Sequence, residues 1–391
     1  MRVVIALASS SGQLSGVPRH AINLARCLLT RREISAVHLV AAPWQQEFVK
    51  DAAPQVDLRL HLHTAPIGNS ALSRNLWFYV QLPKLADLLQ ADIVHLAYPV
   101  PVRRDAFHCP TVVTLHDLYP YDIPENFGFP KVLFNRAVLR SCLQRIDAIA
   151  CVSHCTFSRL KSMSAQLARQ KAVVIHNAVE PQMKCVVENP VNEFIKQPFI
   201  LCVAQHRRNK NILLALRVFE RLLQTKEIAP GTRLLIVGIA GPETPALREF
   251  ISTAGLANSV LLLNGISDAQ LDWCYRNAAL LLAPSSIEGF GLPVAEALLA
   301  GCRVVCSDIP AFREIGGSHC RYVPLGYGEI DAFAEAAGAA LRQPSPAPIA
   351  LPQLSEPVIA EQYMRIYRCL LPAWVENPES YAAPFLFAGE R

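Results

Sequence analysis

Twice along this chain, short apolar runs alternate with segments of helical periodicity, and nothing else in the sequence limits the fold so strongly. In the first half the apolar runs are Val3–Ala8, Val37–Ala41, Ile93–Leu96, Thr111–Leu115, Ala148–Val152 and Ala172–Ile175. Helical patterns lie between them, among them His20–Thr30 and Lys131–Arg145. The second half restarts with Phe199–Val203, Arg233–Val237, Ser259–Leu263, Ala279–Ala283 and Arg303–Ser307. Strands buried on both faces by crossover helices read as continuous apolar runs, so the pattern predicts an α/β protein with parallel sheets. Between the halves, Glu180 to Pro198 holds Pro181, Pro190 and Pro198 without periodicity, which marks a linker. The spacing predicts domains at 1–183 and 184–370. A terminal helix over Val358–Leu371 follows a proline-rich loop, Gln343–Ser355, and with the tail 371–391 it is free to pack back onto the first domain.

Composition narrows the class. At 391 residues the chain is long enough for two cores, and its mean hydropathy of +0.24 suits buried parallel strands. No apolar stretch is long enough to span a bilayer, and the N-terminus enters a strand without a signal-peptide pattern, so the expected location is cytoplasmic. The 12 cysteines are scattered. Neither Cys151, His154 and Cys155 nor Cys302 and Cys306 supply a C-x-x-C pair with a second half, which leaves no metal site in the sequence. Charge is uneven: residues 1–180 carry 19 Lys+Arg against 12 Asp+Glu, and the remainder 18 against 20. A basic first half suits an anionic partner, with no motif for nucleic acid.

The most chemically informative stretch is Leu280 to Pro310. Strand Leu280–Ala283 ends at Pro284 and Ser285, and the loop Glu288-Gly289-Phe290-Gly291-Leu292 follows. Pro293 then sits at the start of a helix, Val294–Ala300, that stops at Gly301. Glycines ahead of a helix N-terminus let backbone N–H groups approach an anion closely. Glu288 in the loop and Glu296, placed in the first helical turn, bring carboxylates to the same sheet edge. Two readings stay open on spacing alone: a nucleotide-sugar site, with a diphosphate on the amides and a carboxylate on hydroxyls, or an ordinary helix whose glutamate favours the dipole.

The run Pro284-Ser-Ser-Ile-Glu288-Gly-Phe-Gly-Leu-Pro-Val-Ala-Glu296-Ala resembles the hallmark of glycosyltransferase family 4, and the likeness continues through Val304–Pro310 and Arg313-Glu314-Ile315. That family consists of retaining enzymes of the GT-B fold, two Rossmann-like domains facing across a donor-binding cleft. The resemblance implies that Glu288 contacts the donor sugar and Glu296 the donor ribose, with Gly289, Phe290, Gly291 and Leu292 at the donor.

Other segments resemble family stretches. Cys202-Val-Ala-Gln-His-Arg207-Arg208-Asn-Lys210 follows a strand and suits a diphosphate, or else is a solvated loop. Lys210 matches the family lysine, whereas Ala204 and Gln205 stand at the usual glycine and arginine, leaving Arg207 or Arg208 as the donor-contacting arginine. Gly16, in Ser15-Gly16-Val17-Pro18-Arg19, matches a glycine loop near donor and acceptor; a plain connection is the other reading. His116-Asp117, ending a strand, resembles a motif whose histidine faces the donor sugar, and His116 joins Glu288 as a catalytic candidate. Asn264-Gly265 resembles the place where the base is held, and Val173–Glu180 the stretch before the linker.

With no Asp-x-Asp triplet for a metal-bound diphosphate, Lys210, an arginine and helix-end amides are left to offset leaving-group charge. The expected activity is metal-independent, retaining transfer of a hexose from a GDP- or UDP-sugar to a saccharide or lipid-linked saccharide acceptor, in polysaccharide or glycoconjugate synthesis. No cofactor is expected beyond the nucleotide-sugar substrate. A sugar-nucleotide epimerase and a non-catalytic nucleotide-sugar-binding protein are the alternatives. Lys131–Arg145, with Val132, Leu133, Val138, Leu139 and Leu143 among Lys131, Arg136, Arg140 and Arg145, reads either as an ordinary domain helix or as a basic amphipathic helix for an anionic membrane surface at the inner face.

Overall fold

The computed structural model describes residues 1–53, 57–180 and 197–371. The chain divides into two compact units, Met1–Ala178 with Pro352–Arg391, and Val179–Leu351. Most of the proposed linker, 181–196, and the tail from 372 lie outside the described residues.

The first unit carries a parallel sheet of seven strands: β1 Arg2–Ala6, β2 Ala36–Ala41, β3 Leu60–Thr64, β4 Ile93–Leu96, β5 Thr111–Leu115, β6 Ala148–Cys151 and β7 Ala172–Val174. Their order is β3-β2-β1-β4-β5-β6-β7. Alternate residues of one strand feed opposite cores. Val4 and Ala6 pack with Trp77, Phe78 and Leu143, while Val3 and Ile5 pack with Ala21, Leu24, Tyr363 and Tyr367. This is why β1 reads as one apolar run: both of its faces are covered.

The second unit repeats the plan with six parallel strands: β8 Phe199–Val203, β9 Arg233–Val237, β10 Val260–Leu263, β11 Leu280–Ala283, β12 Val304–Ser307 and β13 Arg321–Val323, in the order β10-β9-β8-β11-β12-β13. Helix Ile212–Gln224 buries Ile212, Leu216, Phe219 and Leu222 along one stripe against this sheet.

The terminal helix spans Glu356–Leu370 and packs on the first unit rather than the second. The second unit therefore ends at Leu351, short of the expected 370. The cause is in the helix's own sequence. Ile359, Tyr363, Ile366 and Tyr367 form an apolar stripe buried with helix Gly16–Leu29, and Arg368, oriented by Glu361 of its own helix (3.1 Å), clamps it to Glu33 (2.6 Å). Strands β3 and β13 had no counterpart in the apolar pattern. Both are edge strands; β3 alternates leucine with histidine and is only partly buried, and β13 has three residues.

Candidate functional site

In the second unit the expected residues gather at the carboxyl edges of β8 and β11, where open parallel sheets bind ligands. After β8 the chain makes one 3-10 turn, Arg208–Lys210, and enters helix Ile212–Gln224 through Asn211 at φ 50°, a left-handed conformation that asparagine tolerates. Buried Asn209 ties this turn to the loop after β11: its carbonyl accepts from the Ser286 N–H at 2.8 Å, and its Nδ2 donates to the Ile287 carbonyl at 3.2 Å. The cross-link places Lys210 beside Glu288. Lys210 Nζ lies 2.7 Å from Oε1 and 2.6 Å from Oε2, with side-chain exposures of 19% and 8%. Two of the three ammonium hydrogens are used, and the third is open to a phosphate oxygen. Arg207 and Arg208 are exposed and make no side-chain hydrogen bond or ion pair with a described residue, so either guanidinium is available to an anion.

Helix Leu292–Ala300 opens on Gly291 at φ 104° and closes on Gly301 in the left-handed region. A Cβ at Gly291 would come within 2.9 Å of Phe312 Cδ1, so both backbone and space require glycine there. Phe290 is buried at 4% exposure, which leaves only its backbone for a ligand. Pro293 has no N–H and Val294 donates to the Gly291 carbonyl at 3.0 Å, so the amides left at this helix start are those of Gly291 and Leu292. Glu296 is not in that turn, contrary to the expectation from sequence, because the helix begins at Leu292 and its first turn contains no acidic residue. The dipole-capping reading loses its geometry. Glu296 instead accepts a 2.7 Å hydrogen bond at Oε2 from the Tyr275 hydroxyl. Glu288 thus faces an ammonium, whereas Glu296 accepts from a phenol hydroxyl.

The Ala204 carbonyl lies against Gly238 so closely that any Cβ there would collide with it, and Ala204 N–H donates to the Val237 carbonyl at 2.9 Å. Gly238, just after β9, therefore has to be glycine for the two loops to meet. His206 fixes the same corner: Thr244 accepts from the Gly241 N–H, and its hydroxyl is 2.8 Å from His206 Nδ1. Burial, aided by Arg248, lowers the imidazole pKa, and its buried Nε2 has no partner among the described residues. Asn264 and Gly265, the latter at φ 74°, are exposed beyond β10.

In the first unit, His116 follows β5, and Gly16 begins helix Gly16–Leu29 after β1. Gly16 is exposed, and a Cβ added there would meet nothing within 4 Å, so packing alone gives no reason for glycine. His116 Nε2 donates to the Ala97 carbonyl at 2.9 Å, and burial pushes the ring's pKa down to about 4. It is therefore neutral near pH 7, with Nδ1 a lone-pair acceptor: suited to receive a hydroxyl hydrogen and unsuited to donate a proton. His20 meets it edge-to-face, ring centroids 4.9 Å apart.

Sequence reasoning missed Tyr275, His20 and Asn177. Tyr275 sits in a mixed polar helix, Asp268–Asn277, and His20 in an apolar one, so neither carried a local signal. On helix Lys131–Arg145 the apolar face divides: Val132, Leu139 and Leu143 are buried, while Leu133 and Phe134 are exposed next to exposed Phe129. No helix among the described residues is long and apolar enough to cross a membrane, and no group of three or more His, Cys, Asp or Glu among them is placed to hold a metal ion.

Comparison with known proteins fits this geometry. Residues 14–183 match the family model described as Glycosyltransferase Family 4, and residues 187–348 the model described as Glycosyl transferases group 1. An O-antigen chain mannosyltransferase B of Escherichia coli is 24% identical over 81% of this chain and 85% of its own. A GDP-mannose:cellobiosyl-diphosphopolyprenol alpha-mannosyltransferase of Xanthomonas oryzae is 30% identical over 61% and 67%. The O-antigen chain mannosyltransferase RfbU of Salmonella typhimurium is 26% identical, and the match spans 58% of each chain. Among solved structures, Anabaena HepE in complex with UDP-glucose has the same fold, with a TM-score of 0.65 at 15% identity, covering 97% of this chain and 100% of that one.

Proposed function

Because the chain belongs to glycosyltransferase family 4, we propose that it is a retaining mannosyltransferase that moves mannose from GDP-mannose to a saccharide carried on a lipid, in the assembly of a cell-surface polysaccharide. One observation carries the chemistry: the Lys210–Glu288 pair at the edges of β8 and β11, beside a glycine-opened helix N-terminus and two exposed arginines. In this reading the third hydrogen of Lys210, Arg207 or Arg208, and the amides of Gly291 and Leu292 at the helix start receive the diphosphate. Glu296 binds the ribose, Asn264 and Gly265 flank the base, and Glu288 and His116 address the sugar. Gly16 lets the chain approach donor or acceptor closely.

The C1–O bond to the leaving phosphate breaks while the acceptor oxygen bonds to C1 on the same face, and the acceptor proton passes to the departing phosphate. Negative charge grows on the diphosphate, so fixed cations and amides stabilise the transition state more than the ground state. The donor assignment draws on the relatives named above.

A thermal-shift panel of GDP-mannose, GDP, UDP-glucose and UDP, followed by transfer to a polyprenyl-diphosphate disaccharide, tests this. GDP-mannose should stabilise most and yield an α-linked product. Preference for a UDP-sugar overturns the donor, and an isomerised sugar without acceptor overturns transfer in favour of an epimerase. We further propose that Phe129, Leu133 and Phe134, beside Lys131 and Arg140, rest on an anionic membrane surface at the cytoplasmic face, where lipid-linked acceptors would be met. Vesicle flotation should show salt-sensitive binding to anionic lipid; equal binding to neutral vesicles would leave an ordinary domain helix.

A further inference from the structure

A row of buried polar groups crosses the first unit, from the terminal helix to the carboxyl edge of the sheet, and its hydrogen bonds all run one way. The Tyr367 hydroxyl lies 2.8 Å from His95 Nδ1 and has no other hydrogen-bond partner among the described residues. A buried phenol left with an unshared proton is costly, so Tyr367 donates to Nδ1. Burial keeps His95 neutral, at about 3, so its one ring proton is on Nε2. That nitrogen donates to Thr114 Oγ1 at 2.8 Å. The buried Tyr363 hydroxyl also adjoins Thr114 and has no other acceptor among the described residues, so it donates there, and the Thr114 proton is left for His20 Nε2, 3.0 Å away. His20, also held neutral by burial, carries its proton on Nδ1 and donates to Asn177 Oδ1 at 2.7 Å. Each group has a single proton to give, so the direction set at Tyr367 is carried through four bonds.

The outcome is the orientation of an amide. Asn177 follows β7, and its oxygen is committed inward to His20. Its Nδ2 makes no hydrogen bond to a described residue and is not among the buried unsatisfied atoms, so the donor side of the amide remains open. His116, in contact with the same His20 ring, offers on Nδ1 a lone pair with no partner among the described residues. The two groups are complementary: one donates and one accepts.

We infer that Asn177 is a sugar-binding residue whose amide nitrogen donates to one oxygen of a bound sugar while His116 Nδ1 accepts from a neighbouring hydroxyl. A vicinal diol satisfies both, since each hydroxyl oxygen accepts and each hydroxyl hydrogen donates. His20, Thr114, His95 and Tyr367 are positioning residues that fix which side of the amide the sugar meets. The sugar rests on the glycosyltransferase reading above; the polarity of the relay does not.

Heteronuclear NMR of the imidazole nitrogens in the full chain reads each tautomer directly. His20 should be protonated on Nδ1, and His95 and His116 on Nε2, without titration between about pH 6 and pH 8. A proton on His20 Nε2 reverses the relay and overturns the inference. Asn177→Asp keeps the oxygen for His20 and removes the donor nitrogen. Exchange protection of the first unit should fall, because the new carboxylate is only 5% exposed, but affinity for GDP should hold, while either affinity for GDP-mannose or KM for a polyprenyl-diphosphate disaccharide should worsen about tenfold or more. Loss confined to GDP-mannose puts the donor sugar at the amide, and loss confined to the acceptor KM puts the acceptor there. No loss in either overturns the inference. Asn177→Ser, which also retains an oxygen, repeats the measurement should the carboxylate disturb the His20 tautomer. A wild-type protein that binds GDP-mannose no better than GDP removes the proposed donor, and the tautomers alone then decide the amide's orientation.

Discussion

Replacing Lys210 with Met removes the cation from Glu288 and leaves a carboxylate at 8% exposure with its charge uncompensated. Exposed ion pairs contribute about 0–1 kcal/mol, whereas removing one partner of a buried pair costs about 3–5 kcal/mol. With Lys210 at 19% exposure and both carboxylate oxygens bonded at 2.6 and 2.7 Å, this pair lies between those limits. The second unit should therefore lose about 2–3 kcal/mol. Because the chain has two units, a single unfolding midpoint is a poor measure. Hydrogen exchange of peptides covering β8 and β11 reads the second unit alone, and their protection should fall by roughly 30- to 150-fold. Adding Glu288→Gln in the same chain removes the stranded charge and should restore about 1–2 kcal/mol. Exchange unchanged in Lys210→Met would mean that the carboxylate is fully hydrated without its partner. A double variant no more protected than the single one would assign the loss to packing of the lysine stem, and either result refutes the electrostatic account.

Gly291→Ala should destabilise the second unit by about 2–3 kcal/mol, because φ 104° is coupled to a 2.9 Å approach to Phe312; Gly265→Ala, at φ 74° in open space, should cost about 1 kcal/mol, as denaturation of each variant would show. Tyr275→Phe removes the hydrogen bond to Glu296 and should weaken donor binding by about three- to tenfold with kcat little changed, measured by steady-state kinetics. The first unit should lose stability as the solution is acidified. His20, His95 and His116 have folded pKa values below the ordinary 6.5, so the unfolded chain binds more protons as pH falls from 7 toward 4, and at pH 5.5 each imidazole withdraws about 1.4 kcal/mol; flat stability from pH 7 to 5 in exchange measurements on β4 and β5 would contradict their neutrality. Transfer should continue in excess chelator, and a loss restored by Mg²⁺ or Mn²⁺ would remove Lys210 and the arginines as sufficient charge compensation.

The sequence alone determined the plan of the molecule and the position of the candidate site residues. Central parallel strands are buried on both faces, so β1, β5, β8 and β11 appear as unbroken apolar runs, and the loops at their carboxyl ends carry Gly16, His116, Lys210 and Glu288 in readable order. Glycine requirements are also local: φ 104° at Gly291 is written in the residue itself. Edge strands β3 and β13 escaped because short, half-buried strands need little apolar continuity. Tertiary structure alone decided the pairings. Lys210 and Glu288 are far apart in the chain and meet only because β8 and β11 are neighbours. It also decided that helix Glu356–Leu370 returns to the first unit, and that Tyr367, His95, Thr114, His20 and Asn177 form one row. Periodicity records which face of an element is buried, but a hydrogen bond's partner and direction depend on which other elements reach that face, and no local run of residues contains that information.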